Sequence, residues 1–234
     1  MTASSARPSS VSESTPCLSA GEIGIWFCAG DASDSETFAR ELLARFTGLQ
    51  PAQLEIHRGE YGKPFLVNAP RPLQFSLSHS GRWMACAVSA EVPLGVDLEM
   101  HDPKRDVMAL ARRFFRRPEQ LELGPLEEGA RVQRFYDLWT LKEARVKALG
   151  SSLGRELETT GFRIEDADCG LPVISTEPGP GDAFYCLLSA LPGHSLALCS
   201  LAVQVRPPRI SVARLLESGE DRAMSTRLIA SSPC

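Results

Sequence analysis

Apolar positions change period several times along the chain, and each change marks an element. Ile23 to Phe27 is a short apolar run that reads as a strand. Asp34 or Ser35 then caps a helix to about Leu49, because Phe38, Leu42, Leu43 and Phe46 fall at steps of three and four. Leu54 to Arg58, Leu73 to Leu77, Met84 to Ser89 and Leu94 to Met100 read as short strands. Asp106 to Phe115 reads as a helix, and a longer one runs from about Ala130 to Leu149, stopped by Gly150. Thr160 to Ile164, Phe184 to Leu191 and Ser195 to Val205 return to strands. Strand–helix–strand blocks in both halves predict an α+β fold. The expected division is a disordered tail over 1–20, an N-terminal half over 21–92 and a C-terminal half over 93–210. Residues 211–234 are expected to form a loose tail, with Val212, Leu215 and Leu216 as a short docking helix.

The 234 residues are 43% hydrophobic and 23% charged, which suits a folded chain with a sizeable core. A net charge of −4 argues against a nucleic-acid partner. No apolar run approaches the roughly 20 residues that span a bilayer. The seven cysteines are scattered with no C-x-x-C pair, so they read as free thiols in a reducing, cytoplasmic setting. The tail up to Ala20 lacks the apolar stretch of a secretory signal; an organelle transit peptide is the alternative to a floppy tail.

Four segments carry candidate chemistry. In Gly95-Val96-Asp97-Leu98-Glu99, strand alternation places both carboxylates on one face, about 7 Å apart. They repel unless a cation lies between them, and Mg²⁺ with phosphate oxygens is the natural occupant; a solvated strand end is the alternative. In Trp139 to Lys147, helical spacing stacks Trp139, Glu143 and Lys147 on one face. That is either an ordinary surface ion pair or a third acidic ligand with a cation one turn away. Ser76 to Gly81 follows a strand as a turn, where Ser78 and His79 could hold an anion. Tyr61-Gly62-Lys63-Pro64 is either a plain turn or a flat wall for a nucleotide base.

Taken in order, these segments resemble the 4′-phosphopantetheinyl transferases of the long, monomeric, surfactin-synthetase-activating type. The resemblance rests on Tyr61 to Pro64, Ser76 to Trp83, Gly95 to Glu99, Ala111 to Phe115, and Phe135 to Lys147 followed by Gly150. It covers Glu60 to about Leu153. It implies a pseudo-dimer of two similar α+β halves with the active site between them. The implied reaction moves the 4′-phosphopantetheine arm of coenzyme A to a serine of an acyl or peptidyl carrier protein domain, releasing adenosine 3′,5′-bisphosphate. By the same resemblance Asp97, Glu99 and Glu143 match metal ligands for Mg²⁺, with Mn²⁺ as an alternative. Glu143 matches the candidate base and Lys147 the phosphate-side cation. Ser78 and His79 match nucleotide-phosphate contacts, and Tyr61, Gly62, Lys63 and Pro64 match the adenine side. Lys142 belongs to the signature but points about 100° from Glu143, which argues against a catalytic role.

The chain departs from the pattern at Phe27 to Phe38, which is short and acidic where family members carry Arg and Lys for the 3′-phosphate of coenzyme A. Arg40 is the expected anchor, with Arg58, Arg71 and Arg82 as substitutes. A non-catalytic carrier-protein or coenzyme A binding relative is the alternative this departure raises.

Overall fold

The computed structural model describes residues 18–152, 154, 156, 159–166, 171–177, 183–201, 207–216 and 218–233. Most of the expected tail over 1–20 lies outside them. The first part runs β1 (Glu22–Ala29), α1 (Ser35–Thr47), β2 (Ile56–Arg58), β3 (Pro64–Leu66), β4 (Gln74–Ser80) and β5 (Trp83–Ser89). The second runs β6 (Leu94–Met100), α2 (Val107–Phe114), α3 (Arg117–Leu123), α4 (Glu128–Leu149), β7 (Gly161–Glu165), β8 (Val173–Glu177), β9 (Phe184–Ser189) and β10 (His194–Ser200). Three more strands close the chain: β11 (Arg209–Leu215), β12 (Asp221–Ala223) and β13 (Arg227–Ser231).

Two sheets carry the fold, ordered β12-β11-β1-β5-β4 and β6-β10-β9-β13-β8-β7. Each contains the same unit: a first strand, then a helix, then a hairpin whose last strand pairs with the first (β1-β5-β4 and β6-β10-β9). The elements stack as α1, first sheet, second sheet, α4. Phe38, Leu42 and Leu43 of α1 cover one face of the first sheet against Met84, Cys86 and Val88. Ile25 and Phe27 pack between the sheets with Val96, Leu98 and Leu196. Leu138, Leu141 and Ala144 of α4 cover the outer face of the second sheet at Leu187, Ala197 and Cys199. Full burial of such side chains contributes about 1.5–3 kcal/mol each.

The C-terminal segment differs from the expected loose tail. β11 pairs in parallel with β1, β12 with β11, and β13 joins the second sheet beside β9. Val212 and Leu215 are both buried, Val212 between the sheets and Leu215 on the α1 side. A strand buried on both faces reproduces the three-residue spacing that reads as a helix face. β11, β12 and β13 therefore join the two sheets where a loose tail was expected. β3, β8 and α3 escaped the sequence pattern because each is too short to show a period.

Candidate active site

The site lies where the two sheets meet edge to edge. β4 extends through Ser80, so Ser78 and His79 sit on a strand and not in a turn. Its alternating serines face β6, and their hydroxyls accept the backbone N–H groups of Val96 (3.1 Å), Leu98 (3.1 Å) and Met100 (2.9 Å). Hydroxyl oxygens thus take the place of backbone carbonyls along this seam. The same hydroxyls donate to the acidic residues: Ser78 to Asp97 Oδ1 at 2.9 Å and Ser80 to Glu99 Oε2 at 3.1 Å. The S-x-S-x-S pattern positions the D-x-E pattern one strand away.

α4 crosses the outer face of β6 closely enough that a Cβ on Gly95 would overlap the Ala144 carbonyl oxygen and the Ala148 nitrogen. This approach brings Lys147 Nζ to 2.7 Å from Asp97 Oδ1 and 2.9 Å from Ser78 Oγ. Asp97 is 3% exposed, and its second oxygen, Oδ2, is buried with no hydrogen-bond partner among the described residues. Burial and the neighbouring Asp97 push the Glu99 carboxyl above its ordinary range, against the pull of Ser80, Lys147 and Arg105. Burial and then Asp97 raise Glu143 to about 7, with Lys147 opposing and Glu99 adding to the rise.

One cavity of about 760 Å³ gathers these groups. Asp97, Glu99, Glu143 and Lys147 line it, together with Ser78, His79 and the Tyr61-Gly62-Lys63-Pro64 segment. Gly62, at φ 83°, makes the turn that brings this segment over the cavity, a conformation that disfavours side chains with a Cβ. Chemically the donor set suits a hard divalent cation: three carboxylates at one cleft, two of them raised first by burial and then by the charge of Asp97, and one oxygen without a partner among the described residues. They share the cleft without a common centre. No group of three or more His, Cys, Asp or Glu side chains among the described residues is close enough to hold an ion. Like charges hold the carboxylates apart, and Lys147 takes Asp97 Oδ1.

Two of the expected ligand contacts are engaged by backbone carbonyls. Arg40 is absent from the cavity lining; its guanidinium donates to the carbonyls of Pro51 (3.2 Å) and Leu54 (2.7 Å) and pairs with Glu36. It ties α1 to the loop before β2. Lys63 does line the cavity, but its ammonium donates to the carbonyls of Ala148 (2.7 Å) and Leu94 (3.3 Å). It clasps the end of α4 to the start of β6, and burial pulls its pKa down. Lys142 is buried in an ion pair with Glu119 at 2.9 Å and donates to the Thr160 carbonyl, a structural role in keeping with its direction on the helix.

Of the substitute arginines, Arg58 lines the cavity, with a 60% exposed side chain whose Nη1 donates to the Gly62 carbonyl. Arg82 instead lies over the Trp83 ring. Ser35, at the start of α1, and Ser151 and Ser152, after α4, also line the cavity. Sequence reading passed over these serines, which no local pattern marks.

Fold and site define a two-sheet α+β protein with an acidic cluster and a lysine beneath α4, at the seam where β4 and β6 meet. The family model for the 4′-phosphopantetheinyl transferase superfamily matches residues 93–199. The chain is 33% identical over 161 residues to a 4′-phosphopantetheinyl transferase of Bacillus subtilis, covering 69% of each. It is 34% identical over 161 residues to the 4′-phosphopantetheinyl transferase AcpT of Salmonella typhi, covering 69% of this chain and 73% of that one. With the Sfp transferase of Bacillus subtilis strain 168 it shares 28% identity over 165 residues, 70% of this chain and 71% of that one. The chain belongs to the 4′-phosphopantetheinyl transferase superfamily.

Proposed function

We propose that the protein transfers the 4′-phosphopantetheine arm of coenzyme A to a serine of acyl or peptidyl carrier protein domains, as a cytoplasmic, Mg²⁺-dependent monomer. The observation that carries this reading is the cleft lined together by Asp97, Glu99, Glu143 and Lys147, with Asp97 Oδ2 buried and without a hydrogen-bond partner among the described residues. Family membership supplies the reaction class. No helix among the described residues is long and apolar enough to cross a membrane.

Asp97, Glu99 and Glu143 would hold the cation, which when bound polarises the pyrophosphate as a Lewis acid. In the transfer, the carrier serine oxygen bonds to the phosphorus next to pantetheine. The P–O bond to the leaving adenosine 3′,5′-bisphosphate breaks, and the serine proton departs. Glu143, which lines the same cavity, is the group to receive that proton. Lys147 sits beside Asp97 with its ammonium at the cavity, where it can offset the charge growing on the leaving phosphate. Arg58 and His79 supply a guanidinium and an imidazole to the nucleotide end, and Tyr61 offers it a half-exposed ring.

The test is incubation of the purified protein with Mg²⁺, coenzyme A and several apo carriers, followed by mass spectrometry of the carrier. Gain of one phosphopantetheine on the wild type, and its loss in Asp97→Ala, is the expected result. No gain on any carrier type refutes the reading, and near-normal rates in Asp97→Ala remove the metal assignment.

A further inference from the structure

A buried polar network lies at one end of the acidic cluster, outside the cavity. Asp137 on α4 is 6% exposed, and its Oδ1 accepts from Ser195 Oγ at 2.6 Å and from Gln133 Nε2 at 2.9 Å. Gln133 Nε2 also lies 3.2 Å from Ser195 Oγ. Because the Ser195 proton goes to Asp137, the 2.9 Å contact between Ser195 Oγ and His101 Nε2 is a donation from the imidazole. The His101 ring stacks on Tyr136 at 5.1 Å, and the Tyr136 hydroxyl accepts from the backbone N–H of Asp102 at 3.1 Å.

Each member lies on an element that carries a cluster carboxylate or touches one that does. Ser195 is the register partner of Glu99 across β10 and β6, and His101 follows Glu99 by two residues. Asp137 precedes Glu143 on the same helix by six residues, about 9 Å of rise. Apolar packing presses a helix onto a sheet but is non-directional and tolerates sliding. Hydrogen bonds have fixed lengths and angles, so this set locks the register of α4 against β6 and β10. The close approach of Ala144 to Gly95 fixes the helix at a second point, and Glu143 lies between the two. A carboxylate buried among a hydroxyl and an amide is a costly way to pack a helix, and directional register is what it provides.

We propose that Asp137, acting through Ser195 and His101, is a positioning residue that sets the distance of Glu143 from Glu99 and so the geometry of the cation site. It does not line the cavity. The inference rests on the reading of the acidic cluster as a divalent-cation site. It is tested on the full chain with Asp137→Asn, which keeps an acceptor oxygen, Asp137→Leu, which keeps the volume and removes the hydrogen bonds, and Ser195→Ala. Mn²⁺ binding by calorimetry is measured beside the kinetics, with melting temperature as the check on folding. Asp137→Leu and Ser195→Ala are expected to weaken Mn²⁺ binding at least tenfold and lower kcat at least tenfold, with the KM for coenzyme A within twofold of wild type. Asp137→Asn should restore most of both. Should Asp137→Leu not fold, Ser195→Ala decides alone. Wild-type Mn²⁺ affinity in the folded non-bonding variants overturns the proposal, as does an Asn variant as weak as Leu, or a wild type that binds no Mn²⁺. A wild type that binds Mn²⁺ but modifies no carrier refutes the transfer reading and leaves the positioning role standing.

Discussion

Replacing Glu143 by glutamine should make the metal-free protein more stable while abolishing its chemistry. The folded-state pKa is raised from 4.5 to about 7. A carboxyl raised on folding binds more protons folded than unfolded between those values, so stability falls as pH rises from about 4.5 to about 7 and stays low above. That rise, at 1.36 kcal/mol per pKa unit, corresponds to roughly 3 kcal/mol before any screening. Partial exposure of the side chain reduces this to about 2 kcal/mol. Glutamine cannot ionise, so Glu143→Gln recovers that amount at pH 8 and little of it at pH 5. For a chain of this size the gain is roughly 4–8 °C in melting temperature. The assay is thermal unfolding of both proteins in chelator at pH 5 and pH 8, then again with Mg²⁺. Wild type should gain from Mg²⁺ at pH 8, and the variant should gain less, because mass action rewards the state that binds. A variant that is less stable than wild type at pH 8, or whose advantage is the same at both pH values, refutes the claim that Glu143 is held against its neighbours' charge.

Arg58→Ala should raise the KM for coenzyme A about tenfold, the worth of one charged hydrogen bond, with little change in kcat. Arg40→Ala, measured in the same steady-state assay, should leave that KM within about twofold, since its donors face carbonyls and Glu36. Gly95→Ala should cost about 1–3 kcal/mol in denaturant unfolding, because its methyl group must push α4 off β6. Lys142→Ala should cost about 3–5 kcal/mol by leaving Glu119 buried without its cation. A Lys142→Met, Glu119→Gln pair should recover most of that loss in the same unfolding measurement, and no recovery would assign the cost to lost packing instead.

Much of the site was legible because its signals are local. Asp97 and Glu99 share a face by strand period, and Trp139, Glu143 and Lys147 share one by helix period; these hold wherever the elements pack. Lys142 could be set aside on the same grounds. Less legible were the partners of the basic groups. Lys63 and Arg40 were expected at the nucleotide, and each donates to carbonyls 11 to 85 residues away. Arg58 has no motif around it, and its place at the cavity follows from a hairpin too short to leave a periodic trace.

From its sequence alone the chain specified which residues share faces, where its long helices begin and end, and which carboxylates must find a cation or repel. Those properties depend on the repeat of the backbone and on neighbours within a turn or two. Tertiary structure decided that the C-terminal segment would be strands in two sheets, that serines would join β4 to β6, and which positive charges remain available to a ligand. A donor's partner is whichever acceptor the packed chain carries within 3.5 Å, and that distance is set by elements far apart in sequence.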